Sequence, residues 1–252
     1  MGRRTTRHKR CPRCWVHQRM CICEVVPKLE ARTRVSVIIH HRESLQTTNT
    51  GHLVALCLPG SEYRIFGNRA APLDEEGIVP EGHQAYSLFP SDDALPLTRE
   101  EVEADGRPVT LVVPDSTWKQ ASRMAKRCGP LAKLPRRLIP PGPPSGYKLR
   151  RVTRPGGLST FEAIARALGV LEGEELQRRM EQEVFQVMID RVLWARNVLR
   201  ADQVTGGLPP DLLRMGRPDA DLLDDGDDDD EGGDEAEAHG PDHNHDDDEG
   251  TP

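Results

Sequence analysis

Four cysteines lie within 13 residues near the start of the chain, in the segment CPRCWVHQRMCIC (residues 11–23). Cys11 and Cys14 have the C-x2-C spacing with which a tight turn aims two sulfurs at one ion. Cys21 and Cys23, two apart in an extended segment, point to the same side and can supply two further ligands. Seven bases (Arg3, Arg4, Arg7, Lys9, Arg10, Arg13 and Arg19) precede the first acid, Glu24, and such surroundings favour the thiolate that binds metal. A structural zinc is the reading these features support first. An iron–sulfur centre and plain buried cysteines are the alternatives, and His17 inside the loop is a substitute ligand. A redox C-x-x-C would open a helix after a strand, and nothing before Cys11 makes a strand. Cys57 and Cys128 are isolated and read as small buried hydrophobes.

The second chemical candidate is Asp115, in VVPDSTWKQA. It stands at the carboxyl end of the clearest strand, PVTLVVPD (108–115), where ligands collect in open α/β sheets. Capping of the next helix is the simpler role for Asp115 or Ser116. Helix N-termini also bind carboxylates, so cap and ligand site are compatible. There is no G-x-G-x-x-G after a strand, no P-loop lysine and no H-E-x-x-H, which argues against a Rossmann methyltransferase, a P-loop NTPase and a zincin. A cofactor site in this chain must be built some other way.

The elements that position these residues alternate between strand and helix. RVSVIIHH (34–41) reads as a buried strand, and TNTGHLVALCLPG (48–60) as a short helix capped near Asn49 or Thr50. YRIFG (63–67) and QAYSLFP (84–90) are weaker strands, and Thr98 with Glu101 makes a capping box for a helix to about 105. The helix 117–128 sets Trp118, Ala121, Ala125 and Cys128 on one face and Lys119, Arg123 and Arg127 on another. A short strand and a Pro-rich turn follow in 136–152. Ser159 and Glu162 form a second capping box. A long helix over about 173–200 places Leu176, Met180, Val184, Met188, Val192, Ala195 and Leu199 on a core stripe. The pattern predicts one α/β domain. Its expected divisions are a basic arm with a four-cysteine zinc knuckle (1–27), a catalytic domain (28–215) and a disordered acidic tail (216–252).

The formal charge of −7 conceals a segregation. From Asp219 onward there are 17 acids and no Lys or Arg, so residues 1–218 hold 34 bases against 24 acids. Between Asp115 and Glu162 lie 11 bases and no acid. Such a surface suits a polyanion, nucleic acid above all, and the acidic tail is able to compete for it. No stretch approaches the ~18 apolar residues of a membrane span. The expected setting is the cytoplasm, with no membrane association, no obligate protein partner and no disulfide framework.

In order and spacing, the cysteine cluster at 11–23, TNTGHL at 48–53, DSTW at 115–118 and LSTFEA at 158–163 resemble the DTW-domain family, over about residues 10–200. The resemblance implies a SPOUT-like, knotted α/β core. It also implies transfer of the 3-amino-3-carboxypropyl group of S-adenosylmethionine to N3 of a tRNA uridine, with release of methylthioadenosine. Asp115 is then the catalytic candidate, since a partly desolvated carboxylate is a plausible base for the uridine N3 proton. Ser116, Thr117, Trp118, Leu158, Ser159, Thr160 and Glu162 are the cofactor-binding candidates, and backbone amides at the two helix starts suit a carboxylate. Asn49, Thr50, Lys148, Arg150 and Arg151 are the substrate candidates, and Cys11, Cys14, Cys21 and Cys23 the metal ligands. His52 stands where the family often has Arg. An rRNA substrate, or a non-catalytic zinc-dependent RNA-binding adaptor, are the competing readings.

Overall fold

The computed structural model describes residues 9–150 and 156–218. Arg151, most of the basic arm and the acids from Asp219 onward lie outside the described residues.

Among the described residues, six strands form one sheet in the order β2-β1-β5-β3-β6-β4, and every pairing is parallel. They are β1 (Arg34–His40), β2 (Glu62–Phe66), β3 (Gln84–Leu88), β4 (Leu95–Pro96), β5 (Val109–Asp115) and β6 (Arg136–Leu138). The β-branched runs of β1 and β5 take its centre, in register from Arg34 opposite Thr110 to Ile39 opposite Asp115. Strands covered on both faces must be apolar throughout, and all seven residues of β5 are buried. Successive side chains alternate between the faces. Val35, Val37, Ile39, Leu111 and Val113 enter the main core with Phe161, Ile164, Leu168 and Met188. Ile38 and Val112 face the other way, onto Met124, Cys128 and Leu131.

Helices cover both faces. α1 (Leu53–Cys57) follows β1, α2 (Arg99–Asp105) precedes β5, and α3 (Trp118–Arg127) and α4 (Gly129–Lys133) follow it. On the main-core side lie α5 (Thr160–Glu172), α6 (Glu174–Arg179) and α7 (Gln186–Ala195), and α8 (Pro210–Met215) closes the described chain. The expected helix over 48–60 is shorter, starting at Leu53, because Asn49 and Thr50 are engaged in tertiary contacts described below, while Asn49 Oδ1 also accepts from the His52 amide at 3.4 Å. The expected helix over 173–200 is interrupted by a π-helical stretch, Met180–Phe185. The wider turn lets consecutive Val184 and Phe185 both face inward, and Phe185 stacks on Phe161 at 5.6 Å. The stripe from Met180 to Ala195 is buried as expected, while Leu199 falls beyond the helix.

The cysteine segment is no separate lobe. Cys11, Cys14, Val16, Met20 and Ile22 join the same core as β1 and α5. At the other end, Arg217 donates from Nε to the Trp194 carbonyl at 2.8 Å and covers the Trp194 ring at 5.4 Å. Residues 216 and 217 therefore belong to the folded body.

Candidate active site

Asp115 ends β5 and is 6% exposed. Its Oδ1 accepts from Thr160 Oγ1 and its Oδ2 from Asn49 Nδ2, each at 2.6 Å. Burial pushes this carboxyl up to about 6, and the nearby Glu43 charge adds to the effect, while the hydrogen bonds from Thr160 and Asn49 and the Arg150 charge oppose it. Desolvation prevails, so the group can exchange a proton near neutral pH. Gly51 makes room for it. A Cβ there would lie 2.3 Å from Asp115 Oδ2 and 3.0 Å from Val37 Cγ1, so the loop after β1 closes over the carboxylate only with glycine at this place.

The same loop is fastened on its other side. Thr50 Oγ1 accepts from the Phe161 amide at 3.3 Å. Tyr147 Oη donates to the Thr48 carbonyl. Arg150 donates from Nε to Thr48 Oγ1 at 2.6 Å and pairs with Glu43 at 2.9 Å. Glu162 is buried and closes its capping box with Ser159. It also accepts from Ser145 Oγ and the Gly146 amide, both at 2.7 Å. The segment from Ser145 to Arg150 is thus tied both to the start of α5 and to the loop after β1.

The four cysteine sulfurs all lie within 4.8 Å of one another. Neighbouring pairs are 3.5 to 3.7 Å apart, close to the roughly 3.8 Å edge of a tetrahedron with ~2.3 Å metal–sulfur bonds. Burial and the neighbouring thiols push Cys23 up to about 12, and burial raises Cys14 further still. Cys11 is also desolvated, yet the backbone around Cys14 and Arg13 brings it down to about 7. Such a crowded set of sulfurs fits a bound divalent cation, whose charge removes the penalty on the thiolates. His17 is occupied otherwise, accepting from the Arg19 amide at Nδ1.

The cysteine cluster and the carboxylate are joined through His52, which is buried. Its Nε2 donates to the Cys14 carbonyl at 2.9 Å, and its backbone amide donates to Asn49 Oδ1 at 3.4 Å. The ring stacks on Trp15 at 4.1 Å, with planes 9° apart. Burial holds it down to about 4, so at neutral pH it is an uncharged strut. Arg191, 1% exposed, grips the far side of the cluster through the Met20 and Cys21 carbonyls.

The structure links Asp115 to Asn49 and Thr160, Thr50 to the Phe161 amide, and Ser159 to Glu162. Thr117, not Asp115 or Ser116, caps α3, accepting from the Gln120 amide. Ser116 Oγ donates to the Thr117 carbonyl. Trp118 is half-buried beside Phe89, Ala121 and Ala125, in a cluster separate from the main core. Leu158 is half-buried and Lys148 exposed. Arg150 is engaged internally with Glu43 and Thr48. The sequence reading missed Gly51, Tyr147, Ser145 and Glu43. The first was legible as a glycine between two polar residues of TNTGHL; the others are visible only in the packed loop.

A buried carboxylate at the end of a parallel strand, braced against four cysteine sulfurs that could hold a metal ion, suits the active site of an α/β enzyme. The DTW domain matches residues 8–193, and the chain belongs to that family. It is 32% identical to tRNA-uridine aminocarboxypropyltransferase 2 of Drosophila melanogaster over 174 residues, covering 66% of this chain and 68% of that one. The protein of the same name from Mus musculus is 29% identical, over 66% of this chain and 57% of its own length. tRNA-uridine aminocarboxypropyltransferase A of Arabidopsis thaliana is 27% identical, over 69% and 78%. Among solved structures, the SAM-dependent rRNA:acp-transferase Tsr3 from Vulcanisaeta distributa aligns with a TM-score of 0.41 and 20% identity, over 75% of this chain and 93% of that one.

Proposed function

We propose that this protein transfers the 3-amino-3-carboxypropyl group of S-adenosylmethionine to N3 of a uridine in tRNA, releasing methylthioadenosine. The observation that carries this reading is Asp115, a buried carboxylate raised to about 6 at the carboxyl edge of the sheet. Bound S-adenosylmethionine supplies a sulfonium-activated carbon. The protein's own task is to remove the N3 proton and to hold the nitrogen in line with that carbon. Asp115 takes the proton at the oxygen facing Asn49 or Thr160, and those two donors keep the carboxylate aimed while it is charged. The amides opening α5 are the proposed seat of the methionine carboxylate, because a helix start offers free N–H groups. Lys148 and Arg151 are the proposed contacts to tRNA phosphates, and Arg150 fastens the segment that carries Lys148.

The cysteine cluster is proposed to hold one zinc ion, and the chain to share the knotted, SPOUT-like path of its family. The fastening of the 145–150 and 158–162 segments onto the loop after β1 supports such a path.

The test is to incubate purified protein with unmodified tRNA and S-adenosylmethionine, then digest and weigh the nucleosides, with Asp115→Ala alongside. Aminocarboxypropyl-uridine and methylthioadenosine from the native protein alone are expected. A uridine gaining only a methyl group overturns the reaction assigned here. Tight tRNA binding with no product on any RNA moves the protein to the adaptor class.

A further inference from the structure

Glu43 and Arg150 form a charge pair that the fastening of the loop after β1 does not by itself require. Glu43 is buried at the start of a single 3-10 turn (Glu43–Leu45), and half-buried Arg150 meets it at 2.9 Å. Well-packed apolar side chains of similar volume often stabilise a fold as much as a buried ion pair does, or more. The place of this pair is particular. Arg150 Nε also donates to Thr48 Oγ1 at 2.6 Å, and the next residue, Asn49, donates to Asp115 Oδ2 at 2.6 Å. The pair is therefore held one residue from a donor that aims the carboxylate. Beyond burial and the bonds from Thr160 and Asn49, its two charges reach Asp115 in opposite senses, Glu43 raising that carboxyl and Arg150 lowering it. The influence is mutual. Burial works against the Arg150 charge, and Glu43, Tyr147 and Asp115 more than offset it.

The other titratable groups around the carboxyl are engaged elsewhere or carry no charge in the neutral range. Burial pushes Tyr147 up to about 12 and holds His52 down to about 4. Glu162 is turned to Ser145, Gly146 and the Ser159 amide, and Arg196 to the Leu149 carbonyl. His40 and His41, which follow Ile39, line the space against α3, across the sheet from the main core.

We propose that Glu43 and Arg150 are positioning residues that act through Asp115: their opposed charges decide how readily it takes up and releases a proton. The inference rests on the proposed function for the use of that proton, and adds to it a pair that touches neither substrate nor cofactor. A second negative charge makes Asp115 the stronger base, and Arg150 limits the effect so that Asp115 is ionised at neutral pH. A pair that only fastened the loop would be indifferent to the loss of either charge, provided its hydrogen bond remained.

The experiment compares the full-length protein with Glu43→Gln, Arg150→Gln and the double variant, with circular dichroism to confirm the fold. Glu43→Gln keeps an amide oxygen for Arg150 to bond, so the loop stays fastened while the charge is lost. Turnover on unmodified tRNA is followed over about pH 5 to 8 with both substrates saturating. The Asp115 carboxyl is also titrated directly, by NMR of protein labelled at the aspartate carboxyls, its signal assigned by its loss in Asp115→Asn. Glu43→Gln is expected to move the lower limb to lower pH, raising the rate at about pH 5 roughly threefold relative to the plateau. Arg150→Gln is expected to move it to higher pH, and the double variant to fall between the two. The NMR titration should show the same opposed shifts. Folded variants that keep the native limb and titration, or that move them in one direction, overturn the proposal and leave the pair a fastening. A native protein that makes no aminocarboxypropyl-uridine, while its Asp115 titration moves in opposite senses in the two variants, overturns the proposed function alone.

Discussion

Asp115 carries two constraints that pull its chemistry in opposite directions. Removal from water favours the neutral acid, and two short hydrogen bonds favour the anion. Because the first prevails, the carboxyl is protonated below about 6 and becomes a base above it. Turnover under saturating S-adenosylmethionine should therefore climb as pH rises from 5 to 7 and level off above, with its lower limb near 6. A rate independent of pH across this window would remove Asp115 from the proton transfer. Asp115→Ala should lower the rate by roughly 10²- to 10⁴-fold, the range a positioned base contributes. Gly51 tests the geometry rather than the charge. With Asp115 Oδ2 only 2.3 Å from a new Cβ, Gly51→Ala must shift either the loop or the carboxylate. A displacement of about 1 Å near reacting atoms can cost on the order of 10²-fold in rate. The expectation is a fall of at least tenfold in turnover with metal content unchanged, read by the nucleoside mass assay and by elemental analysis. At this scale the sequence was informative about which residue types matter and poor about their partners. Asp115 at a strand end could be read from the pattern. Its dependence on Thr160, 45 residues away, could not, because nothing local in LSTFEA distinguishes a cap threonine from a carboxylate donor.

The elements with tertiary duties are the ones whose boundaries depart from their local signals. β1 and β5 are long apolar runs and fall where periodicity puts them. The helix after β1 is shorter than its pattern because Asn49 turns to Asp115 and Thr50 to the start of α5. The long helix bends its register through a π stretch to bring Phe185 against Phe161. The cysteine segment is the sharpest case. Spacing alone announces a metal site, yet gives no sign that Cys14 and Trp15 brace His52, whose backbone amide in turn holds Asn49 Oδ1. Two variants separate holding the metal from aiming the carboxylate. Cys14→Ser should lose the bound metal, lower the melting temperature and lose uridine modification with it. His52→Ala leaves all four sulfurs in place, so its metal-to-protein ratio should stay at one while turnover falls about tenfold. If His52→Ala proved as active as the native protein, the cluster would stabilise the fold without touching the site.

For the whole molecule, charge distribution is the property the fold turns into behaviour. Residues 1–218 carry 34 bases and 24 acids, while 17 acids and no bases follow. The structure fixes where that acidic stretch departs. Gly216 accepts from Arg19 of the cysteine segment, and Arg217 is seated on α7 at Trp194, so a truncation that keeps these contacts ends at Pro218. The 34 residues beyond Pro218 can span at most roughly 110 Å, far enough to meet basic surface anywhere on a domain this size. An acidic segment tethered at that point competes with RNA at high local concentration, and its effect depends on ionic strength as any exposed charge does. A variant ending at Pro218 keeps Arg217 and should fold as the full chain does. At about 50 mM salt it should bind an unrelated RNA several-fold more tightly than the full chain, with a steeper dependence of affinity on salt. Near 1 M salt, where the screening length shrinks to about 3 Å, the two should converge. Tail-deleted and full-length proteins with the same affinity and slope at every salt concentration would leave the acids no part in choosing RNA. A difference that persisted undiminished at 1 M would point to a contact other than charge.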